Sequence, residues 1–189
     1  MTLFASLSDA TRAPCEDWDQ GDVVEAVYFG ALDAYRPGVL VTPACDIEQE
    51  KLELWTFVAL YPDVDVARAL VAKDLETWQH SGAPLSKRQR EALLNKVREL
   101  IGHRFGRYHW IPVAIGESTA HVADFSCVSS VPAAEVQTST KRIASLTSSW
   151  REQLPARYSS FMARVGTVDF RREEIDPQVE RMVRSLAGD

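Results

Sequence analysis

The chain has 189 residues, of which 46% are hydrophobic and 25% are charged, a balance typical of a globular domain with its own core. No apolar run approaches the roughly 18 residues that span a bilayer, and the first residues lack the pattern of a signal peptide. We therefore expect a cytoplasmic protein that makes no membrane contact. Three cysteines without a CxxC pair favour neither a disulfide framework nor a cysteine-rich zinc site.

The net charge of -6 is distributed unevenly along the chain. Residues 1–86 carry 5 Lys or Arg against 15 Asp or Glu, whereas residues 87–107 carry 7 against 2. An acidic body with one basic segment argues against indiscriminate coating of nucleic acid. It leaves two kinds of partner open: an anion at the basic segment, and a basic partner for the acidic part.

Residues 1–20 show no apolar period and predict an irregular lead-in. Residues 21–62 then predict three strands. The first covers 21–29, which is rich in β-branched and aromatic residues, the second covers 39–42, and the third covers 52–61, which ends at Pro62.

Apolar residues at three- to five-residue spacing predict two helices within 63–102, forming a helical hairpin inserted between strands. Ser86 and Gln89 have the spacing of a capping box at the start of the second helix. Gly102 suits the left-handed position that follows it.

Strand patterns return at 108–115 and 121–128, within a strand region of 108–136, with a hairpin turn at 116–119. Residues 148–187 predict C-terminal helices, one ending at Gly166 and a short one beginning at Asp176-Pro177. Pro155 is compatible with the first of these only in its first turn or at a kink. The whole predicts one α+β domain over 1–189, a small, mainly antiparallel barrel or curled sheet decorated by helices.

The motifs of nucleotide hydrolysis, dinucleotide binding and zincin proteolysis are absent. The candidate metal ligands are scattered without recognisable spacing, so we expect no metal and no cofactor. They are His80, His103, His109, His121, Cys45 and Cys127.

The basic segment ends in a mixture of cations and aromatic rings, from His103 to Trp110. Arginines neutralise phosphates and rings stack on unpaired bases, so the pattern predicts contact with RNA or single-stranded DNA. The candidate binding residues are Arg104, Arg107, Tyr108 and Trp110. The alternative is that Phe105 and Trp110 lie in the core and that the arginines form a solvated helix end.

The stretch RPGVLVTPACDI, residues 36–47, places a hydroxyl, a thiol and a carboxylate close together after a strand. Cys45 beside Asp46 suggests a cysteine nucleophile, with His109 on a strand of the same predicted sheet as its base. The alternative is that Cys45 packs, because cysteine is among the most buried residue types.

The first two strands resemble the opening of MazF/PemK-type toxins, small SH3-like barrels that cleave RNA. The resemblance covers residues 21–47 and rests on GDVV at 21–24 and RPGVLVT at 36–42. It implies that Arg36 stabilises the transition state of RNA cleavage, a role suited to its fixed charge. The hydroxyl that this family places after the third strand has no counterpart here except Tyr61.

Three functions follow. The first is a non-catalytic binding or regulatory subunit of a bacterial toxin or defence-type system, with a protein partner and contact to RNA or single-stranded DNA. The second is a MazF/PemK-like endoribonuclease in which Arg36 acts with proton transfer by Thr42, Cys45, Asp46 or His109. The third is a cysteine-dependent hydrolase.

Overall fold

The structure is a computed structural model that describes residues 10–79 and 84–163 of the chain. These residues form an α+β fold of seven strands and five helices. The strands are β1 (Thr11–Arg12), β2 (Asp22–Phe29), β3 (Ala34–Leu40), β4 (Leu54–Pro62), β5 (Tyr108–Ile111), β6 (His121–Pro132) and β7 (Arg142–Leu146). The helices are α1 (Ala44–Glu48), α2 (Asp63–Gln79), α3 (Lys87–Ile101), α4 (Ala133–Ser139) and α5 (Ser148–Met162).

All seven strands belong to one antiparallel sheet in the order β1-β7-β2-β3-β4-β6-β5. The sheet curls into a half-barrel. Ser129 Oγ on β6 donates a hydrogen bond of 2.7 Å to the carbonyl of Tyr28 on β2, although these strands are not neighbours in the sheet. Register shifts between Val24 and Val27 and between Val58 and Ala59 interrupt the ladders, and such irregularities add to the bending of a sheet.

Helices cover both sides of the sheet and close two apolar clusters. The first cluster receives Val66 from α2, Leu100 from α3, and Trp150 and Leu154 from α5. The second contains Ile47 of α1, with Val136 of α4, Trp55 and the partly buried Trp18. Strand residues alternate between the two, as the pleat requires.

Helix α3 begins with the predicted capping box. Gln89 N donates to Ser86 Oγ at 3.3 Å, and Ser86 N donates to Gln89 Oε1 at 2.8 Å. The predicted left-handed conformation of Gly102 is wrong, since its φ is -77° and the next residue, His103, has φ +57°. Glycine is favoured there for another reason: an added Cβ would lie 2.9 Å from the carbonyl oxygen of Arg98.

The predicted strands at 21–29 and 52–61 are confirmed as β2 and β4, and the pairing of the two later strands is confirmed as β5 with β6. Two boundaries are wrong. The second strand begins at Ala34 and ends at Leu40, before Thr42, and β5 ends at Ile111 rather than at 115. The lead-in contains the short strand β1, and β7 lies between the predicted strand region of 108–136 and the predicted C-terminal helices.

Pro155 lies in the middle of α5 and not in its first turn, so the alternative of a kink at this position stays a prediction. Burial of Trp150 and Leu154 on the same helix offsets the hydrogen bond that a proline cannot donate. The prediction of a helix end at Gly166 and of a helix from Asp176 lies outside the described residues, as does His80. Within the described part of the chain, no helix is both long enough and apolar enough to cross a membrane.

Candidate nucleic-acid interface

Arg36 is an exposed residue of β3 that lies over the ring of Tyr61 on β4, with its guanidinium carbon 5.7 Å from the ring centre. The sheet produces this contact. Gly38 pairs with Ala59, and extending that antiparallel register by two residues brings Arg36 opposite Tyr61. A cation over an aromatic face is attracted to the ring quadrupole, so this arginine is held on the sheet surface with its charge accessible.

A second arginine, Arg107, lies just before β5 and is fixed by Asp124 on β6. Its Nε donates to Oδ1 at 2.7 Å and its Nη2 donates to Oδ2 at 2.6 Å. Arg107 also lies over the neighbouring Tyr108 ring, 5.1 Å from its centre, and Tyr108 pairs with Asp124 in the ladder. The Arg107 side chain remains 51% exposed, so this cation is still accessible from solvent.

Asp124 supports this arrangement from below. Its side chain is 8% exposed and accepts two further hydrogen bonds, from Ser126 N at 3.0 Å and from Ser126 Oγ at 2.7 Å. Burial raises the pKa of Asp124, but the hydrogen bonds from Arg107 and Ser126 outweigh this and hold its pKa below the ordinary value. Asp124 is therefore an anion at neutral pH.

Tyr61 connects the two arginines. Its ring lies beside Arg36, its phenol helps to raise the pKa of Arg107, and the carboxylate of Asp124 helps to raise the pKa of the phenol. Burial raises the pKa of Tyr61 to about 12, with further contributions from Cys127 and Asp124. The phenol is therefore neutral at physiological pH. We call Arg36, Tyr61, Arg107 and Tyr108 the arginine–tyrosine surface.

The arginine–tyrosine surface carries two guanidiniums against the one carboxylate of Asp124, which gives it a local excess of positive charge. Arg107 and Tyr108 were predicted as nucleic-acid contacts and Arg36 as a catalytic residue, and the structure brings these three together. Tyr61 and Asp124 were not predicted as site residues. A single carboxylate within the strand-like, mostly apolar run HVADFSCV is the signal that could have pointed to Asp124.

The other predicted binding residues lie apart. Arg104 is exposed in the turn after α3, where its amide donates to Glu99 O at 2.8 Å. Trp110 is 8% exposed, and its Nε1 donates to Asp63 Oδ2 at 3.1 Å. Its ring packs in the core near Trp150, so the prediction that Trp110 stacks on a base is wrong.

The predicted catalytic residues Thr42, Cys45 and Asp46 lie beyond the other end of β3. Arg36 and Leu40 alone are separated by about 13 Å of strand, at about 3.3 Å per residue. Thr42 is buried, and its hydroxyl accepts a hydrogen bond from Thr56 N at 2.7 Å. These residues are therefore not assembled around Arg36.

Cys45 is exposed on α1, and its thiol lies 3.7 Å from Asp46 Oδ1. His109 is fully buried, stacks on His103 with ring centres 4.2 Å apart, and has no hydrogen-bond partner at either ring nitrogen. The predicted pairing of Cys45 with His109 is consequently not formed. Burial lowers the pKa of His109 well below the ordinary value, with help from His103 and Arg157, so His109 is a neutral core residue.

Among residues 10–79 and 84–163, no group of three or more His, Cys, Asp or Glu side chains is arranged to hold a metal ion. Neither the known protein-family models nor the curated proteins give a match to this chain.

Proposed function

We propose that the protein is a non-catalytic binding or regulatory subunit of a bacterial toxin or defence-type system, and that its arginine–tyrosine surface contacts single-stranded RNA or DNA. The observation that carries this proposal is the placement of Arg36 on β3 over Tyr61 on β4, and of Arg107 over Tyr108 at the start of β5, within one sheet. Two fixed cations beside two rings offer a strand both phosphate neutralisation and base stacking.

The hydrogen-bonding state of the surface supports this role. Arg107 keeps its Nη1 group free of Asp124, since the carboxylate takes only Nε and Nη2. Guanidiniums bind phosphate oxygens through such planar donors. Tyr61 is neutral because burial raises its pKa to about 12, so it adds no negative charge that would repel phosphate.

The acid–base groups named at this surface are already engaged or protonated, which favours binding over cleavage. Asp124 is engaged by Arg107 and Ser126. Tyr61 holds its proton at neutral pH. A general base must lie within hydrogen-bond reach of the proton that it takes, and Thr42, Cys45 and Asp46 lie far along the chain from Arg36.

The second candidate is a MazF/PemK-like endoribonuclease, built on an SH3-like barrel with a helical hairpin inserted between its strands. The exposed position of Arg36 on β3 favours it, because this is the residue that the family resemblance assigns to the transition state. In that function Tyr61, a neutral phenol beside Arg36, would serve as the proton donor to the leaving group.

One experiment separates the two functions. Fluorescein-labelled RNA and DNA strands of about 12 nucleotides, and the matching duplexes, are titrated with wild-type protein and with Arg36→Gln while anisotropy is read. The same RNA is run on a denaturing gel after incubation. Binding of single strands without cleavage, weakened by Arg36→Gln, supports the binding subunit. RNA cleavage lost in Arg36→Gln supports the nuclease, and neither binding nor cleavage overturns both.

A further inference from the structure

A cavity of about 690 Å³ lies between the lead-in, α1 and the start of α5. It is lined by Trp18 of the lead-in, Ile47 of α1 and Trp55 of β4, and by no residue of the arginine–tyrosine surface. A volume of this size is within the range of sites that hold a small ligand or a few residues of a peptide. The cavity is therefore a separate candidate site.

The walls of this cavity are acidic. Two of the lining residues, Arg12 and Arg151, are cationic, and Arg151 is already paired with Asp19. Five lining residues are carboxylates: Glu16, Asp17, Asp19, Glu48 and Glu50. Four of the five are exposed, so their charges remain available to an occupant of opposite sign.

The cavity also has an aromatic wall. Trp18 is half-buried, and its ring centre lies 5.4 Å from that of the buried Trp55. Tryptophan beside carboxylates suits an occupant that combines cationic and apolar groups, because the ring contributes apolar contact area and attracts cations. A small inorganic cation would leave this wall unused.

Arg142 of β7 holds the acidic lead-in in place. Its Nη1 donates to Asp17 O at 2.5 Å, its Nη2 donates to Glu16 O at 2.6 Å, and its guanidinium carbon lies 4.6 Å from the Trp18 ring centre. It also pairs with the buried carboxylate of Asp22 at 3.2 Å. Because the backbone carrying Glu16 and Asp17 is fixed in this way, an occupant would not have to order it.

We propose that this cavity binds a basic segment of a partner protein, with arginine or lysine side chains at Glu48, Glu50 and Asp17 and an apolar side chain against Trp18. The observation that carries the proposal is the combination of an acidic rim, a tryptophan wall and a backbone held by Arg142 in one concave site. It goes beyond the nucleic-acid contact and holds whether or not the arginine–tyrosine surface binds RNA.

The test uses a short fluorescein-labelled peptide of alternating arginine and leucine residues, titrated with the full chain while anisotropy is read. Wild type binds the peptide, and added salt weakens the binding. The double variant Glu48→Gln/Glu50→Gln weakens it about three- to ten-fold. The matched control Glu99→Gln/Glu117→Gln removes two exposed carboxylates elsewhere and leaves binding unchanged. No binding at low salt, or equal losses in both double variants, overturns the proposal.

Four further measurements identify the occupant. The peptide shields Cys15, an exposed thiol on the cavity wall, from maleimide labelling in wild type and less so in Glu48→Gln/Glu50→Gln. A peptide of alternating glutamate and leucine does not bind. Spermine binding as strongly as the peptide would show that the site recognises charge alone, and self-association lost in Glu48→Gln/Glu50→Gln would identify a second copy as the occupant. Either result overturns the proposal.

Discussion

The carboxylate of Asp124 accepts both a 2.7 Å and a 2.6 Å hydrogen bond from Arg107, so a nearly buried anion and a half-exposed cation are joined in a two-point contact. This pair links β6 to the residue that precedes β5. It also fixes the direction in which Arg107 faces solvent beside Tyr108. The geometry of the arginine–tyrosine surface therefore depends on one carboxylate beneath it.

Asp124→Asn removes the charge that this contact requires. We expect the free energy of unfolding in urea to fall by about 1–2 kcal/mol, because the lost hydrogen bonds are charge-assisted but Arg107 can still be solvated. The control variant Glu25→Gln breaks the exposed pair with Lys141 and changes the free energy of unfolding by less than about 0.5 kcal/mol. Equal losses in the two variants would contradict the role given to Asp124.

The same pair predicts an acid dependence. Hydrogen bonds hold the pKa of folded Asp124 below its value in the unfolded chain, so the unfolded chain binds the proton first as pH falls. The stability that Asp124 contributes is fully present above about pH 4 and is lost as pH falls through the folded pKa. Urea unfolding at a series of pH values shows this as a gap between wild type and Asp124→Asn that closes at low pH.

His109 predicts a second loss of stability on acidification, which begins at a higher pH than that of Asp124. Burial lowers the pKa of His109 well below the ordinary value, and it also lowers the pKa of the stacked His103. Below about pH 6.5 the histidines are protonated in the unfolded chain but not in the folded chain. The free energy of unfolding therefore decreases as the pH is lowered through this range. His109→Phe keeps a ring between His103 and Phe125 and removes two unpartnered nitrogens.

We expect His109→Phe to raise the free energy of unfolding by about 1 kcal/mol at pH 7 and to flatten the decline between pH 6.5 and 5. Chemical unfolding of both proteins across that range measures the two effects. A steeper decline in His109→Phe, or a destabilised protein with a retained fold, would show that His109 is paired in the folded state.

Arg142→Met tests how the acidic cavity is held. The Arg142 side chain is 16% exposed and that of Asp22 is 1% exposed, so the substitution leaves a buried carboxylate with Ser145 as a neutral partner. We expect a loss of about 2–4 kcal/mol in the free energy of unfolding. Arg68→Met breaks an exposed pair with Asp65 and serves as the control, and we expect it to change the free energy of unfolding little. As a second measurement, we expect the lead-in to be cleaved by protease faster in Arg142→Met than in wild type under conditions in which both proteins are folded.

Two substitutions of Tyr61 distinguish base stacking from hydrogen bonding at the arginine–tyrosine surface. Tyr61→Phe keeps the ring beside Arg36, and we expect single-strand affinity within about two-fold of wild type. Tyr61→Ala removes a base-stacking platform and weakens binding at least about five-fold, since a stacked base contributes about 1–3 kcal/mol. Equal affinities in the two variants would exclude stacking on Tyr61.

The strands with the strongest patterns could be predicted from sequence, whereas β7 could not. Leu54–Pro62 and Asp22–Phe29 are rich in buried β-branched and aromatic residues. The β7 segment RIASL has only its last two residues buried and follows a polar stretch. Its strand conformation comes from pairing with β1 and β2, which are more than a hundred residues away in sequence.

The candidate site likewise combines residues that local sequence could predict with contacts that it could not. Arg107 and Tyr108 are visible as a basic aromatic pair, but their contact with Asp124 and Tyr61 depends on three strand pairings. Tyr108 and Trp110 lie two residues apart on β5 and therefore face the same side of the sheet, yet Trp110 is buried beside Trp150 of α5 whereas Tyr108, at the start of the strand, is only partly buried. Local composition could not distinguish the two rings.

The salt dependence of single-strand binding reports how many phosphates the arginine–tyrosine surface contacts. The affinity of wild type, Arg36→Gln and Arg68→Gln for one labelled RNA strand is measured by anisotropy at a series of salt concentrations. Two phosphate contacts predict a slope of log affinity against log salt of about -1.4. We expect Arg36→Gln to reduce the slope by about 0.7 and Arg68→Gln to leave it unchanged. A slope in Arg36→Gln equal to that of wild type, or no single-strand binding at low salt, would contradict the account.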